Sequence, residues 1–100
     1  MKGRVVFQIH LKPDREKDFL EAYEGIRHIV AQGVKGHIMD QVCKSIDDPQ
    51  SWLITSEWDD IEAFLAWERD PAHTDLVKPM RACWDEAKSH KYVVQVETGR

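Results

Sequence analysis

The residues best suited to chemistry lie between Ser51 and His73. The run S-W-L-I-T-S-E-W-D-D-I-E-A-F-L-A-W carries Trp58, Phe64 and Trp67, and the turn D-P-A-H a few residues later presents His73. A neutral imidazole, with an ordinary pKa of about 6.5, can take a proton or share one in a hydrogen bond. Large rings suit a flat ligand, through offset stacking and buried area. His73 is therefore the candidate base, with Trp58 and Trp67 as the catalytic walls beside it. Phe7, Tyr23, His37, Phe64, Met80 and Trp84 are the candidates for substrate binding.

Each assignment has a plainer alternative. Trp58 and Trp67 suit an aromatic core equally well, and Met80 and Trp84 fall at core spacing on a helical segment. Tyr23 could be a core residue with its hydroxyl at the rim, and His73 an exposed histidine near a helix start. His10, like His37, could reach a pocket or a subunit face; His28 and His90 read as surface residues. Trp52, at the start of a strand, could belong to a subunit interface. No pair of His, Cys, Asp or Glu has a spacing that compels a metal site, and Cys43 with Cys83 is too sparse for zinc. There is no Gly-rich phosphate loop, nucleophile elbow or dinucleotide fingerprint.

The elements that must position these side chains follow from periodicity. Arg4 to Leu11 alternates as a strand, with Val5, Phe7, Ile9 and Leu11 opposite Val6, Gln8 and His10. Pro13 and Asp14 open a helix whose inner stripe is Phe19, Tyr23, Ile26 and Val30, and Gly33 and Gly36 end it. A second strand covers about His37 to Ser45. Asp48-Pro49 suits a type I turn, and the hairpin returns with Trp52, Ile54, Ser56 and Trp58 on one face. Asp59, with Glu62 three residues on, predicts a capping box for a helix over Ile61 to Trp67. Asp70-Pro71 restarts a helical turn. Pro79 predicts a kink at Lys78, followed by a new helix with Met80, Cys83, Trp84 and Ala87 inward. The last strand is read as Tyr92 to Glu97.

This order, strand, helix, strand, strand, helical region, strand, is the β-α-β-β-α-β pattern of a ferredoxin-like α+β fold. It predicts a four-stranded antiparallel sheet with helices on one face. The strands carry apolar residues on both faces, so the uncovered face needs a partner, and a second copy of the sheet is the simplest one.

The chain has 100 residues, a length that suits one domain, 1–100. A chain of this size buries roughly 60–70% of its unfolded surface, which leaves little core to surrender to a cavity. A net charge of -4 argues against non-specific nucleic-acid binding. No apolar run approaches the roughly 20 residues that span a bilayer, and no signal peptide is evident. Cys43 and Cys83 read as free thiols in a reducing compartment, so a cytoplasmic protein is expected.

The opening strand V-V-F-Q-I-H-L-K-P, the strand end I-T-S-E-W58, the helix E-A-F64-L-A-W67 and the turn D-P-A-H73 together resemble the antibiotic biosynthesis monooxygenase family, over nearly the whole chain. That resemblance implies a dimeric α+β barrel, a homodimer through the sheet face, and a ligand held between sheet and helices. It implies two chemistries. Anthrone-oxidising members convert a tricyclic polyketide to a quinone with molecular oxygen and no flavin or metal. Haem-degrading members surround a porphyrin with a strand asparagine, a helix tryptophan and a histidine.

Against the haem degraders, Trp67 matches the tryptophan, Phe7 stands in place of the asparagine, and the histidine falls nearer Leu76 or Val77. Against the quinone-forming members, Trp58 matches a strand-end tryptophan, Phe64 replaces a tyrosine and Ile54 an asparagine. The expected function is thus a cofactor-independent monooxygenase for an aromatic polyketide intermediate. A non-oxidative cyclase or intermediate-binding accessory protein is the alternative, and haem binding a third.

Overall fold

Strand β1 (Gly3–Leu11) commits one of its faces by alternation: Val5, Ile9 and Leu11 are buried while Gln8, between them, is exposed. In the computed structural model, which describes residues 1–99, β1 is followed by α1 (Glu16–Gly33), β2 (His37–Lys44), β3 (Ser51–Trp58), α2 (Ile61–Arg69), α3 (Pro71–Arg81) and β4 (Trp84–Val93). The sheet order is β2-β3-β1-β4, with every pairing antiparallel. This is the ferredoxin-like α+β arrangement, with the helices on one face.

Directly opposed residues share a face, so the register lays side chains in rows across the sheet. Asp40, Ser56, Val5 and Lys91 form one row under the helices, and Val42, Ile54, Phe7 and Ser89 form the next. Val6, Leu53, Thr55 and Cys43 look out from the uncovered face.

Helix α1 buries Phe19, Ile26 and Val30 along the predicted stripe. It begins at Glu16, later than Pro13-Asp14 suggested. Asp14 adopts a left-handed backbone (φ 63°), which helical geometry forbids, and no side chain caps the helix. The hairpin turn behaves as expected, with the Ser51 N–H donating to the Asp48 carbonyl at 3.0 Å across Pro49 and Gln50. Trp52 belongs to the core, not to an exposed interface. It meets Phe19 edge to face at 5.6 Å, and its indole N–H donates to the Pro49 carbonyl at 3.0 Å.

Helix α2 is capped by Asp60, whose carboxylate accepts the Glu62 N–H at 3.0 Å. Asp59 lies one residue too early for that role, since α2 starts at Ile61, and its N–H instead finishes the sheet by donating to the Gly36 carbonyl at 2.9 Å. Asp70 caps α3, accepting from Ala72 N–H at 2.9 Å, with Pro71 at the first helical position.

The second half of the helical region departs from expectation. Helix α3 runs through Pro79 to Arg81, with no new helix after it. Proline removes one backbone hydrogen bond. Placed in the last turn, that loss costs little, and Cys83 N–H to the Met80 carbonyl (2.9 Å) closes the helix. The strand expected at Tyr92–Glu97 is instead β4 at Trp84–Val93, so Trp84 and Ala87 are strand residues and His90 lies within the strand. As an edge strand with few buried side chains, β4 lacks the apolar alternation that would reveal it.

Candidate active site

A cavity of about 220 Å³ lies between the sheet and the helical layer. Val5, Phe7, Ile54 and Ser56 form its floor, and Tyr23, Ile26 and Val30 of α1 form one wall. Phe64 and Trp67 of α2 and His73, Val77 and Met80 of α3 complete it, together with Trp58 and Trp84.

Two glycines let α2 descend this far. A Cβ on Gly3 would lie 2.8 Å from the Ile61 Cα, and one on Gly36 would lie 2.6 Å from the Ala63 Cβ. Gly36 also has φ +86°, a conformation L side chains rarely adopt. Backbone-to-backbone approach at these points brings Phe64 over Trp58, ring centroids 5.3 Å apart and edge to face.

The rings are held in fixed pairs. Trp58 is 2% exposed, and its indole N–H donates to the Ser56 Oγ at 2.9 Å, so this tryptophan presents an apolar surface and has no free donor for a ligand. Trp67 meets His73 edge to face at 5.2 Å, and Phe7 meets Trp84 at 5.3 Å. Burial, and next the charge of Arg81, lower the His73 pKa from its ordinary value, against the opposing pull of Glu68 and Asp70. The imidazole is therefore neutral at pH 7, with a lone pair available as a base.

Of the sequence candidates, His73, Trp67, Trp58, Phe7, Tyr23, Phe64, Met80 and Trp84 line this one cavity. Trp84 does so as the first residue of β4, not from a helix. His37 does not line it. Its ring lies behind Trp58, edge to face at 5.2 Å, and its Nε2 donates to the Asp40 Oδ1 at 2.7 Å. His10 is on the uncovered sheet face, 2.7 Å from Asp85 through Nδ1, and that hydrogen bond raises its pKa.

Sequence reasoning missed five polar residues of the lining: Asp40, Ser56, Glu68, Arg81 and Ser89. Asp40 and His37, three apart, would point to opposite faces of a regular strand. A register shift between His37 and Met39 puts them on the same side. Burial, and then the Asp40 charge, push the Tyr23 phenol pKa up, which keeps that hydroxyl a neutral donor. Among the described residues no group of three or more His, Cys, Asp or Glu could hold a metal ion. No helix among them is long and apolar enough to cross a membrane.

Comparison with known proteins places this geometry in context. The sequence model of the family described as antibiotic biosynthesis monooxygenase matches residues 3–79. The 42.8 kDa protein in whiE locus of Streptomyces coelicolor is 42% identical over 95 residues, which are 95% of this chain and 24% of that protein. Polyketide synthase CurD of Streptomyces cyaneus is 38% identical over 96 residues, 96% of this chain and 25% of that one. The chain thus spans about a quarter of the length of these curated relatives. Among solved structures, SnoaB, a cofactor-independent oxygenase from Streptomyces nogalater, superposes with a TM-score of 0.83 at 13% identity, covering 99% of this chain and 98% of the other. At that identity the likeness is one of fold.

Proposed function

The chain belongs to the antibiotic biosynthesis monooxygenase family, and on that premise we propose that it oxidises an aromatic polyketide intermediate of the anthrone type to a quinone, using molecular oxygen and no resident cofactor. The observation that carries this reading is a ring-walled cavity bordered by a neutral, half-buried histidine. Relatives named for a polyketide synthase and a cofactor-independent oxygenase support it.

The chemistry asks three things of the protein. It must bind a flat ring system, take one proton, and keep bulk water away from the resulting carbanion. Phe7, Phe64, Trp58 and Trp67 supply the first through stacking and buried area. His73 supplies the second by taking a proton from the ring CH₂. The electron-rich carbanion then passes an electron to oxygen, and carbon and oxygen combine. One oxygen atom remains as the new carbonyl and the other leaves as water, so CH₂ and O₂ become C=O and H₂O. The apolar floor of Val5 and Ile54 supplies the third.

The uncovered sheet face serves, in this proposal, as the seat of a second copy of the chain. Val6, Leu53 and Thr55 are only half exposed there even without a partner, and Arg4 and Glu57 pair across the same face at 2.9 Å. Haem is the poorer fit. A porphyrin is far larger than a hollow of about 220 Å³, and Phe7 with Trp84 fills the floor where a polar contact would be needed.

A non-oxidative role, as a cyclase or an intermediate-binding part of a larger polyketide protein, is the second reading. It is favoured by the quarter-length match to a polyketide synthase. One experiment separates them. Purified protein with an anthrone under oxygen should form quinone and consume oxygen in equal amounts, well above the buffer blank. No oxygen uptake above the blank would reject the oxygenase, and an open-chain polyketide intermediate offered in parallel, closed to a new ring pattern without oxygen uptake, would favour the cyclase.

A further inference from the structure

We propose that Asp40, held in place by His37, is a specificity determinant: it accepts a hydrogen bond from a phenolic hydroxyl at the β2 end of a flat substrate. The inference rests on the reading of this cavity as an aromatic-binding site.

The polar groups of the cavity gather at two poles. Asp40, from β2, is at one, with Tyr23 beside it. Glu68 is at the other, tied to Lys91 of β4 at 3.2 Å. Asp40 and Lys91 belong to one row, separated by Ser56 and Val5. Three strand spacings make that about 14 Å, the scale of a fused ring system with a substituent at each end. Between the poles the floor is Val5, Phe7, Ile54 and Ser56, whose hydroxyl already accepts from the Trp58 N–H, while His73, Arg81 and Ser89 add polar groups elsewhere in the lining.

A carboxylate at the rim of an apolar hollow is costly unless it is partnered. His37 provides one partner from a fully packed position: its side chain is 4% exposed, wedged against Trp58, and its Nε2 lies 2.7 Å from Oδ1. A carboxylate has about four acceptor sites. One is used by His37, and the Tyr23 phenol, its pKa held up by burial, by the Asp40 charge and by hydrogen bonding to Asp40, is near a second. The Asp40 side chain is still 18% exposed and borders the cavity. What it can still accept is an O–H or N–H donor, and an ionised carboxylate rejects a carbonyl or ether oxygen at the same place. Polyphenolic rings are the flat ligands that bring such a donor. His37 is not among the residues that line the cavity, so it acts as a positioning residue through Asp40.

The test is calorimetric binding of two anthraquinones that undergo no turnover, identical except that one lacks the hydroxyl on a terminal ring. The wild-type chain should bind the hydroxylated quinone about 10–100-fold more tightly, the range expected of one hydrogen bond to a charged group. Asp40→Leu should bring the ratio close to one while leaving affinity for the other quinone intact. His37→Leu should lower the ratio, and His37→Gln, which keeps an N–H donor, should restore part of it. Circular dichroism melts identify any variant that fails to fold, in which case Asp40→Asn, nearly isosteric, should lower the ratio in place of Asp40→Leu. An unchanged ratio in a folded Asp40 variant overturns the inference and leaves the oxygenase reading untouched. If the wild type binds neither quinone, the aromatic pocket itself is refuted, and the inference with it.

Discussion

Trp67 and His73 meet edge to face, with ring centroids 5.2 Å apart and planes at 74°, although they stand on different helices. Asp70 makes this possible. Its N–H closes α2 on the Trp67 carbonyl at 3.1 Å, and its carboxylate opens α3 at Ala72. The chain turns on a single residue, so the last turn of one helix and the first turn of the next are locked together. The imidazole is thereby held against an indole and half withdrawn from water, which keeps it neutral.

If that histidine removes the substrate proton, His73→Ala should lower kcat by at least ~10²-fold. The fold should survive, since His73 contributes little to the core cluster. Steady-state oxygen uptake together with a thermal melt checks both halves. Wild-type turnover in a folded variant would remove His73 from the mechanism.

The pH profile carries an independent signature. The pKa of His73 is depressed, so its neutral, active form persists as pH falls below about 6.5, and the acid limb of kcat/KM should have its midpoint under that value. Arg81 contributes to the depression, second to burial, so Arg81→Gln should move the midpoint upward. The sign for stability is the same. The unfolded chain takes up this proton more readily, so folding weakens as pH drops through the window below 6.5. A limb that stays put in the Arg81 variant would show that another group is titrating.

Ser56→Ala should destabilise the protein by about 1–3 kcal/mol, because it strands the buried Trp58 N–H without an acceptor. For a chain of this size each kcal/mol is worth roughly 4–8 °C in Tm. The loosened indole should also raise KM more than it changes kcat. A melt within a degree of wild type would mean that the hydrogen bond contributes nothing.

Gly36→Ala tests the approach of α2 to the sheet. The new methyl group would meet Ala63 and the Asp59 carboxylate at a φ of +86°, so a loss of about 1–3 kcal/mol is expected, with ligand binding weakened as α2 lifts. Gly25→Ala, at a helical position with open space around it, is the control and should be neutral or mildly stabilising.

If the uncovered sheet face seats a second copy, as proposed, Val6→Asp and Leu53→Asp on that face should leave the chain a monomer. Sedimentation velocity distinguishes the two by mass. A wild-type chain that sediments as a monomer at micromolar concentration rules out the sheet-face dimer.

Much of this molecule is readable without coordinates. The period of two over Trp52–Trp58 and the stripe Phe19–Tyr23–Ile26–Val30 are local patterns, and they are decisive because each element shows the core one face only. Those faces turn Trp58 and Tyr23 inward, where both line the cavity. What the sequence leaves open depends on neighbours. Strand β4 is mostly exposed and polar, so it declares itself only when β1 offers an edge to pair with. Pro79 ends no helix because it falls where a helix is ending in any case. The His37–Asp40 pair exists only because a bulge cancels the alternation that would have parted them, and such an irregularity arises from the pairing of two strands and leaves no mark in the order of residues along one.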